Sequence, residues 1–409
     1  MTAKSLTATT WRSPAVILVC GCLIALLTFG PRSAFGFFLT PMSNAHGWGR
    51  EVFALAFAIQ NLLWGVAQPI AGAIADRFGT ARVICAGVLL YAAGLALMSV
   101  STTPILLDIT SGVLIGFGLS GCSFNLVLSA FGKLLKPEWR GLALGLGTGA
   151  GSFGQFLFAP FGVAMIDSYG WQSALLVFGG LLLLAVPLAL ALTTPPSTSH
   201  AETGKQQSMA SALGEAFAHR SYVLLVLGFF TCGFQLAFVT AHLPSYLIDR
   251  GLSAEVGGWT IAIIGLFNIV GSLTSGYLGN VMPKRYILSF IYFTRALSIV
   301  AFVLLPTSVP LTLAFAVITG FTWLSTVPPT SGLVAVMFGT RWLAMLYGFA
   351  FFSHQVGGFL GVLLGGYAFE YFGSYNPVWW LSVFFGVMSA LINLPIVEKP
   401  AGRFAAASA

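Results

Sequence analysis

The chain has 409 residues, of which 57% are hydrophobic and only 7% charged, against roughly 25% charged in a soluble domain. That balance excludes a water-soluble fold and makes the lipid bilayer the chain's solvent. The net charge of +7 would suggest nucleic acid on a soluble chain, but here it sits in short loops between apolar runs, so no nucleic-acid partner is expected.

A spanning helix needs about 20 mainly apolar residues. Twelve such stretches are expected, at 14–40, 51–75, 83–102, 104–132, 141–166, 171–193, 221–246, 256–279, 286–306, 309–337, 342–372 and 377–397. The first is long enough to span and lacks the short apolar core and A-x-A cleavage site of a signal peptide. It contains Gly30, Pro31, Arg32 and Ser33 in sequence. A charge at the centre of a spanning helix costs about 2.5–3.5 kcal/mol on insertion scales, so Arg32 is read as facing a cavity or a partner, with snorkelling to the surface as the alternative. A fixed positive charge on a transport path suggests an anionic cargo. Span 2 carries Gln60 and Asn61. Span 4 carries Asp108 near its outer end, the main candidate carboxylate within a span, read either as a partner for Arg32 or as a surface group, and then Asn125. Gln155 lies in span 5.

Residues 194–220 are polar, Pro/Ser-rich and then mildly amphipathic, so they read as a linker ending in a short surface helix. The expected domains are therefore 1–193 and 221–409, six helices each. Gln235 and Asn268 fall in spans 7 and 8, and Arg295 is near the middle of span 9, as a hydrogen-bonded strut or as a substrate contact. Trp323 sits beside the Pro328-Pro329 break of span 10, and such breaks often flank transporter binding sites. His354 and Gln355 are central in span 11. This histidine is the candidate for proton coupling, with plain interhelical hydrogen bonding as the other reading. The glycine rows 141/145/149 and 357/361/365 mark close helix packing. The five cysteines form no metal or redox pattern, and neither a metal nor a cofactor is expected. HExxH, GxSxG and Walker sequences are absent, so no enzyme chemistry and no direct use of ATP are expected.

With the N-terminus inside, fourteen of the 18 Lys and Arg fall on the inner side and only Arg50 and Arg250 on the outer, Arg32 and Arg295 being within spans. Both termini are therefore expected in the cytoplasm.

After span 2 comes GAIADRFGTAR (72–82), and at the matching place after span 8 comes GYLGNVMPKR (276–285). Through these the chain resembles the major facilitator superfamily, whose signature between helices 2 and 3 is G-x-L-x-D-R-x-G-R-[KR]. The second copy departs from it, with Asn280 in the aspartate slot. The resemblance implies an all-α integral membrane protein of twelve transmembrane helices in two six-helix bundles, with helices 1, 4, 7 and 10 lining a cavity. It also implies a conformational gate built from Gly72, Asp76, Arg77, Gly79 and Arg82, in which Asp76 meets the N-terminus of helix 11, where Arg341 is placed to pair with it. Within that family, Pro31-Arg32-Ser33 followed by Phe37-Phe38, and RGLALGLGTGA (140–150), resemble the monocarboxylate transporters, in particular their bacterial branch. The helix 8 Asp-x-x-x-Arg of those carriers aligns with Asn268 and Ser272, and both its charges are missing. The expected activity is secondary transport of a small organic anion, a monocarboxylate by the resemblance, across the cell inner membrane, with a proton or counter-anion as coupling partner and a monomeric chain. The alternative is an exporter of amphipathic drugs or metabolites, which typically needs a buried carboxylate for cationic cargo.

Overall fold

The structure, a computed structural model, describes residues 11–194, 209–339 and 343–401, and every regular element among them is helical. Most of the 194–220 linker therefore lies outside the described residues, as does Arg341. The part described, Met209–Ala218, is a helix whose Phe217 packs on Tyr222 and Phe349.

Span 1 is Pro14–Ser33, continued after a short irregular step by Gly36–His46. Its start follows from Ser13, whose hydroxyl accepts from the Val16 N–H, and from Pro14 in the first turn, where a missing N–H costs nothing. Span 2 is Arg50–Phe78 and span 3 Thr80–Met98. They are separated only by Gly79, whose φ of 94° is open to glycine and strained for other residues. Span 4 covers Pro104–Leu134.

Eleven stretches among the described residues are long and apolar enough to cross a membrane, one of them the 50 residues Ala143–Leu192. At 1.5 Å per residue that stretch would run about 75 Å straight, more than twice a hydrocarbon core of about 30 Å. It does not run straight. Gly170 breaks it with φ 80° and ψ 162°, and the rings of Phe158 and Phe178 on its two sides lie 5.3 Å apart, which requires the chain to turn back. The stretch is therefore spans 5 and 6, and the chain crosses twelve times. The second six are span 7, Arg220–Asp249; span 8, Ala254–Val281; span 9, Lys284–Leu304; span 10, Val309–Thr322 and Val327–Phe338; span 11, Leu343–Phe372; and span 12, Asn376–Asn393.

Glycine sets the tightest approach. A Cβ on Gly357 or Gly361 would lie 2.1 or 2.3 Å from the carbonyl oxygens of Phe230 and Phe234, so spans 11 and 7 meet backbone to backbone. Gly145 and Gly149 of span 5 face the side chains of Leu273 and Ile269 on span 8 more loosely, at 3.9 and 3.7 Å.

The two sets of six touch unevenly along their length. At one end Arg50 holds Asp249 through two hydrogen bonds of 2.6 and 2.7 Å and the Tyr375 hydroxyl at 2.8 Å, and its guanidinium lies 3.7 Å over Phe369. Thr40 and Ser245 are hydrogen-bonded at 2.9 Å, and Gly36 abuts the Thr240 carbonyl. Along span 2, span 11 is within touch at Ala54, Asn61 and Gly65, the last against Gln355. Two turns further on, Gly72 would meet nothing within 4 Å, and neither would Gly348 on span 11. The bundle is closed at the Arg50 end and parted at the Arg12 end.

Candidate binding cavity

Spans 4 and 10 both break near their middles, and they occupy the same place in each half. Span 4 passes through a π-helical stretch, Asp108–Leu114, and stops at Cys122; Ser123 is extended (φ −61°, ψ 155°) before the helix resumes at Phe124. Span 10 unwinds between Thr322 and Val327. Each break frees backbone groups within the membrane-spanning part of the protein, and these need hydrogen-bond partners. In span 10 these are buried side chains from neighbouring spans. Arg295 donates from Nε to the Thr322 carbonyl at 3.0 Å, and through its terminal nitrogen to the carbonyls of Thr322 and Trp323. Asn268 accepts from the Leu324 N–H at 2.9 Å, and Ser275 donates to the Ser325 carbonyl. A guanidinium at the C-terminal end of the first helical segment also opposes its dipole.

The cavity lies between the breaks and holds about 60 Å3, several times the ~10–15 Å3 that one water requires. Phe124 and Asn125 reach it from the break in span 4, and Trp323, Leu324 and Val327 from the break in span 10. Arg32 and Phe29 come from span 1, Asn61 and Trp64 from span 2, Gln155 from span 5 and Leu236 and Thr240 from span 7. Span 11 contributes Tyr347, Phe351, His354 and Gln355.

Arg32 is only 8% exposed. One terminal nitrogen donates to Asn61 Oδ1, and Asn61 is itself fixed by donating to the Phe57 carbonyl at 2.8 Å. The guanidinium lies 4.9 Å from the Trp64 ring centroid and 5.3 Å from that of Phe57, contacts that favour a desolvated cation. The Trp64 indole is held in turn by Gln68, which also accepts from Ser123 at the span 4 break. The only ion pair among the described residues is Arg50 with Asp249, so of the two readings of Asp108 the pairing with Arg32 is not formed. Asp108 is half-buried, one turn into span 4. No described residue lining the cavity is acidic. Two buried donors among the lining residues have no protein partner: Arg32 Nε in the first half and Gln355 Nε2 in the second. Gln355 Oε1 accepts from His354 Nδ1 at 3.1 Å, and the His354 ring stacks on Phe351.

Of the residues expected to bind cargo, Arg32, Asn61, Asn125, Gln155, Trp323, His354 and Gln355 line this cavity. Gln60, Gln235 and Asn268 do not. Gln60 donates to the Ser111 carbonyl in the π-helical stretch, where the widened turn releases an acceptor. Gln235 donates to the Ser382 carbonyl at 2.9 Å and accepts from Arg295, and Asn268 braces the span 10 break and donates to Ser152. Arg295 likewise touches backbone rather than the cavity. Of the expected gate, Arg77 and Arg82 are exposed and Gly79 forms the turn, while Arg341 lies outside the described residues and the Asp76 side chain is not described. The sequence reading missed the aromatic wall of Phe29, Phe124, Phe229, Tyr347 and Phe351, which no signal separates from the other phenylalanines and tyrosines of the chain. It also missed the Arg50–Asp249 pair: Arg50 reads only as a charge on the outer side, and Asp249, 199 residues away, is not singled out.

The model of the Major Facilitator Superfamily matches residues 21–362, and the chain belongs to that family. It is 28% identical over 377 residues to the uncharacterized MFS-type transporter YcxA of Bacillus subtilis (strain 168), covering 90% of this chain and 91% of that one. It is 25% identical over 361 residues to monocarboxylate transporter 13 of Rattus norvegicus, covering 86% and 81%. Among solved structures, an inward-facing bacterial homolog of the human lysosomal transporter Spinster superposes with a TM-score of 0.75 at 17% identity, covering 94% of this chain and 97% of that one. The Escherichia coli xylose transporter XylE superposes with 0.73 at 13% identity, covering 97% and 100%. These two establish the fold: twelve transmembrane helices of the Major Facilitator type in a multi-pass membrane protein. Its family is one of transporters rather than enzymes.

Proposed function

We propose that this member of the Major Facilitator Superfamily is a secondary transporter of a small organic anion, a monocarboxylate, bound between its two halves and exposed alternately to either side. The observation that carries this reading is the pair of unpartnered buried donors, Arg32 Nε and Gln355 Nε2, on opposite halves of a cavity with no acid among its described lining residues. A buried donor left without an acceptor costs about 1–3 kcal/mol, more for a charged group. A carboxylate supplies acceptors to both and neutralises the guanidinium, and its fork geometry suits that partner. Because the two donors belong to different halves, cargo bound by both favours the state in which the halves are drawn together around it.

The monocarboxylate transporters among the relatives support a single carboxylate. The aromatic wall suits the alternative cargo, an amphipathic drug or metabolite. An unneutralised arginine disfavours a cationic one. Arg12, Arg77 and Arg82 cluster at the parted end, which we place in the cytoplasm of a cell inner membrane by the positive-inside rule, so the structure is read as inward-facing. Coupling to a proton or counter-anion is part of the proposal, with His354 as the proton candidate in the cavity.

Purified protein in liposomes should take up labelled monocarboxylates such as propionate or pyruvate, and their methyl esters or amides should not compete. Competition by esters and organic cations equal to that by the acids would overturn the anion reading. A flat pH dependence of uptake in His354→Gln, with exchange retained, is the expected result for proton coupling through that ring.

A further inference from the structure

A second cavity, of about 450 Å3 and open to the surroundings, lies at the parted end of the first half. It is lined by Arg12, Arg77 and Arg82, and none of its described lining residues is acidic. Three segments far apart in sequence build it: the residues before span 1, the turn between spans 2 and 3, and the end of span 6. Its floor is fixed. The Thr80 N–H and hydroxyl are hydrogen-bonded to the Thr194 hydroxyl at 3.0 and 2.9 Å. Arg12 is held in place by donating to the carbonyls of Ala191, at 3.2 and 3.0 Å, and Thr193, at 2.6 Å. Gly79, with its φ of 94°, lets the turn pass close over Thr194: an added Cβ would lie 3.0 Å from the Thr194 carbonyl oxygen.

Like charges so placed repel unless an anion joins them. The neighbourhood indicates which anion. Span 1 begins at Pro14 and span 2 ends at Phe78, so the cavity sits where the spans leave the hydrocarbon. Trp11, Phe78 and Leu190 stand about half exposed in the three segments that build the cavity. Aromatic residues at that level are characteristic of the membrane interface, and a basic pocket beside apolar surface suits a phosphate with acyl chains attached. We infer that Arg12, Arg77 and Arg82 form a binding site for the headgroup of an anionic phospholipid, one molecule per chain, fastened to the first half of the transporter.

The commitment is to lipid rather than a free anion, and the test separates the two. Delipidated protein in detergent is given phosphatidylglycerol or phosphatidylcholine with the same acyl chains, and the lipid retained is read by native mass spectrometry. Inorganic phosphate is added as a competitor in a parallel arm. One phosphatidylglycerol should be retained in preference to phosphatidylcholine. Retention should fall about five-fold for each guanidinium removed in Arg77→Gln and Arg82→Gln. The Arg77→Lys/Arg82→Lys double variant should keep most of it, which separates lost charge from lost folding. Lys399→Gln, which removes a cation at the same end outside the pocket, should leave retention unchanged. Equal retention of the two lipids, or wild-type retention in Arg77→Gln/Arg82→Gln, would overturn the assignment. So would displacement of the lipid by millimolar phosphate, which would make this a soluble-anion site.

Discussion

Arg32 and Arg295 are both arginines inside apolar helices, yet their partners differ. Arg295 uses its nitrogens on the carbonyls of the span 10 break and on Gln235. Arg32 has one neutral amide, two aromatic faces and a spare N–H at the cavity. Substitution should separate them. Arg295→Gln should lose about 1.5–3 kcal/mol of stability, the range for hydrogen bonds to a charged group, and thermal unfolding in detergent reads this directly. Arg32→Gln should leave the midpoint unchanged or raise it, because it removes a buried charge that has no counter-ion. A large fall in the Arg32→Gln midpoint would make that residue a strut as well. Sequence alone cannot tell the two apart. What differs is which carbonyls a neighbouring helix has released, and that depends on breaks in other elements.

At the scale of the helix, the crossings were legible because a run of apolar residues of the right length has few other uses. The Pro328-Pro329 break was legible for the same kind of reason, since proline removes a donor. The matching break at Ser123 carries no such mark, and only its extended backbone shows it. Which face of a span points inward was the least legible feature. Helices apolar all round give little periodicity, so Gln60, Gln235 and Asn268 looked as accessible to cargo as Asn61, Asn125 and Gln155. The glycines separate structure from motion in a testable way. Gly357→Ala puts a methyl against the Phe230 carbonyl and should cost about 1–3 kcal/mol, read as a lower unfolding midpoint and poorer yield. Gly72→Leu enters open space and should fold normally. In an alternating-access cycle the parted end has to close, and a bulky side chain at Gly72 should then slow turnover several-fold while leaving equilibrium cargo binding intact. Wild-type turnover in Gly72→Leu would show that spans 2 and 11 do not meet there.

Across the whole molecule, the described ion pair sits at the closed end and spans both halves. Arg50 of span 2 reaches Asp249 of span 7 and Tyr375 beside span 12, with Phe369 of span 11 beneath it. Partly exposed pairs contribute about 0.2–1 kcal/mol, too little to hold the fold but enough to shift a two-state equilibrium up to about five-fold. Asp249→Asn should therefore raise the labelling rate of a cysteine introduced at Ser245 by a few-fold, without changing thermal stability appreciably. An unchanged rate would mean that packing of Gly36 on Thr240 and of Gly366 on Ala54 closes that end unaided. Arg50 and Asp249 are unremarkable loop charges in the sequence, because a contact between halves is a property of one conformation and leaves no local pattern.

Arg32 is the proposed anchor of a carboxylate cargo. The most direct test of that role is equilibrium binding of a labelled monocarboxylate to purified wild-type, Arg32→Lys and Arg32→Gln proteins, each checked for correct folding by its unfolding midpoint. Wild-type protein should bind the label, with displacement by the free acid and not by its amide; binding should be weakened but measurable in Arg32→Lys and lost in Arg32→Gln. Wild-type affinity for the carboxylate in a folded Arg32→Gln protein would contradict it.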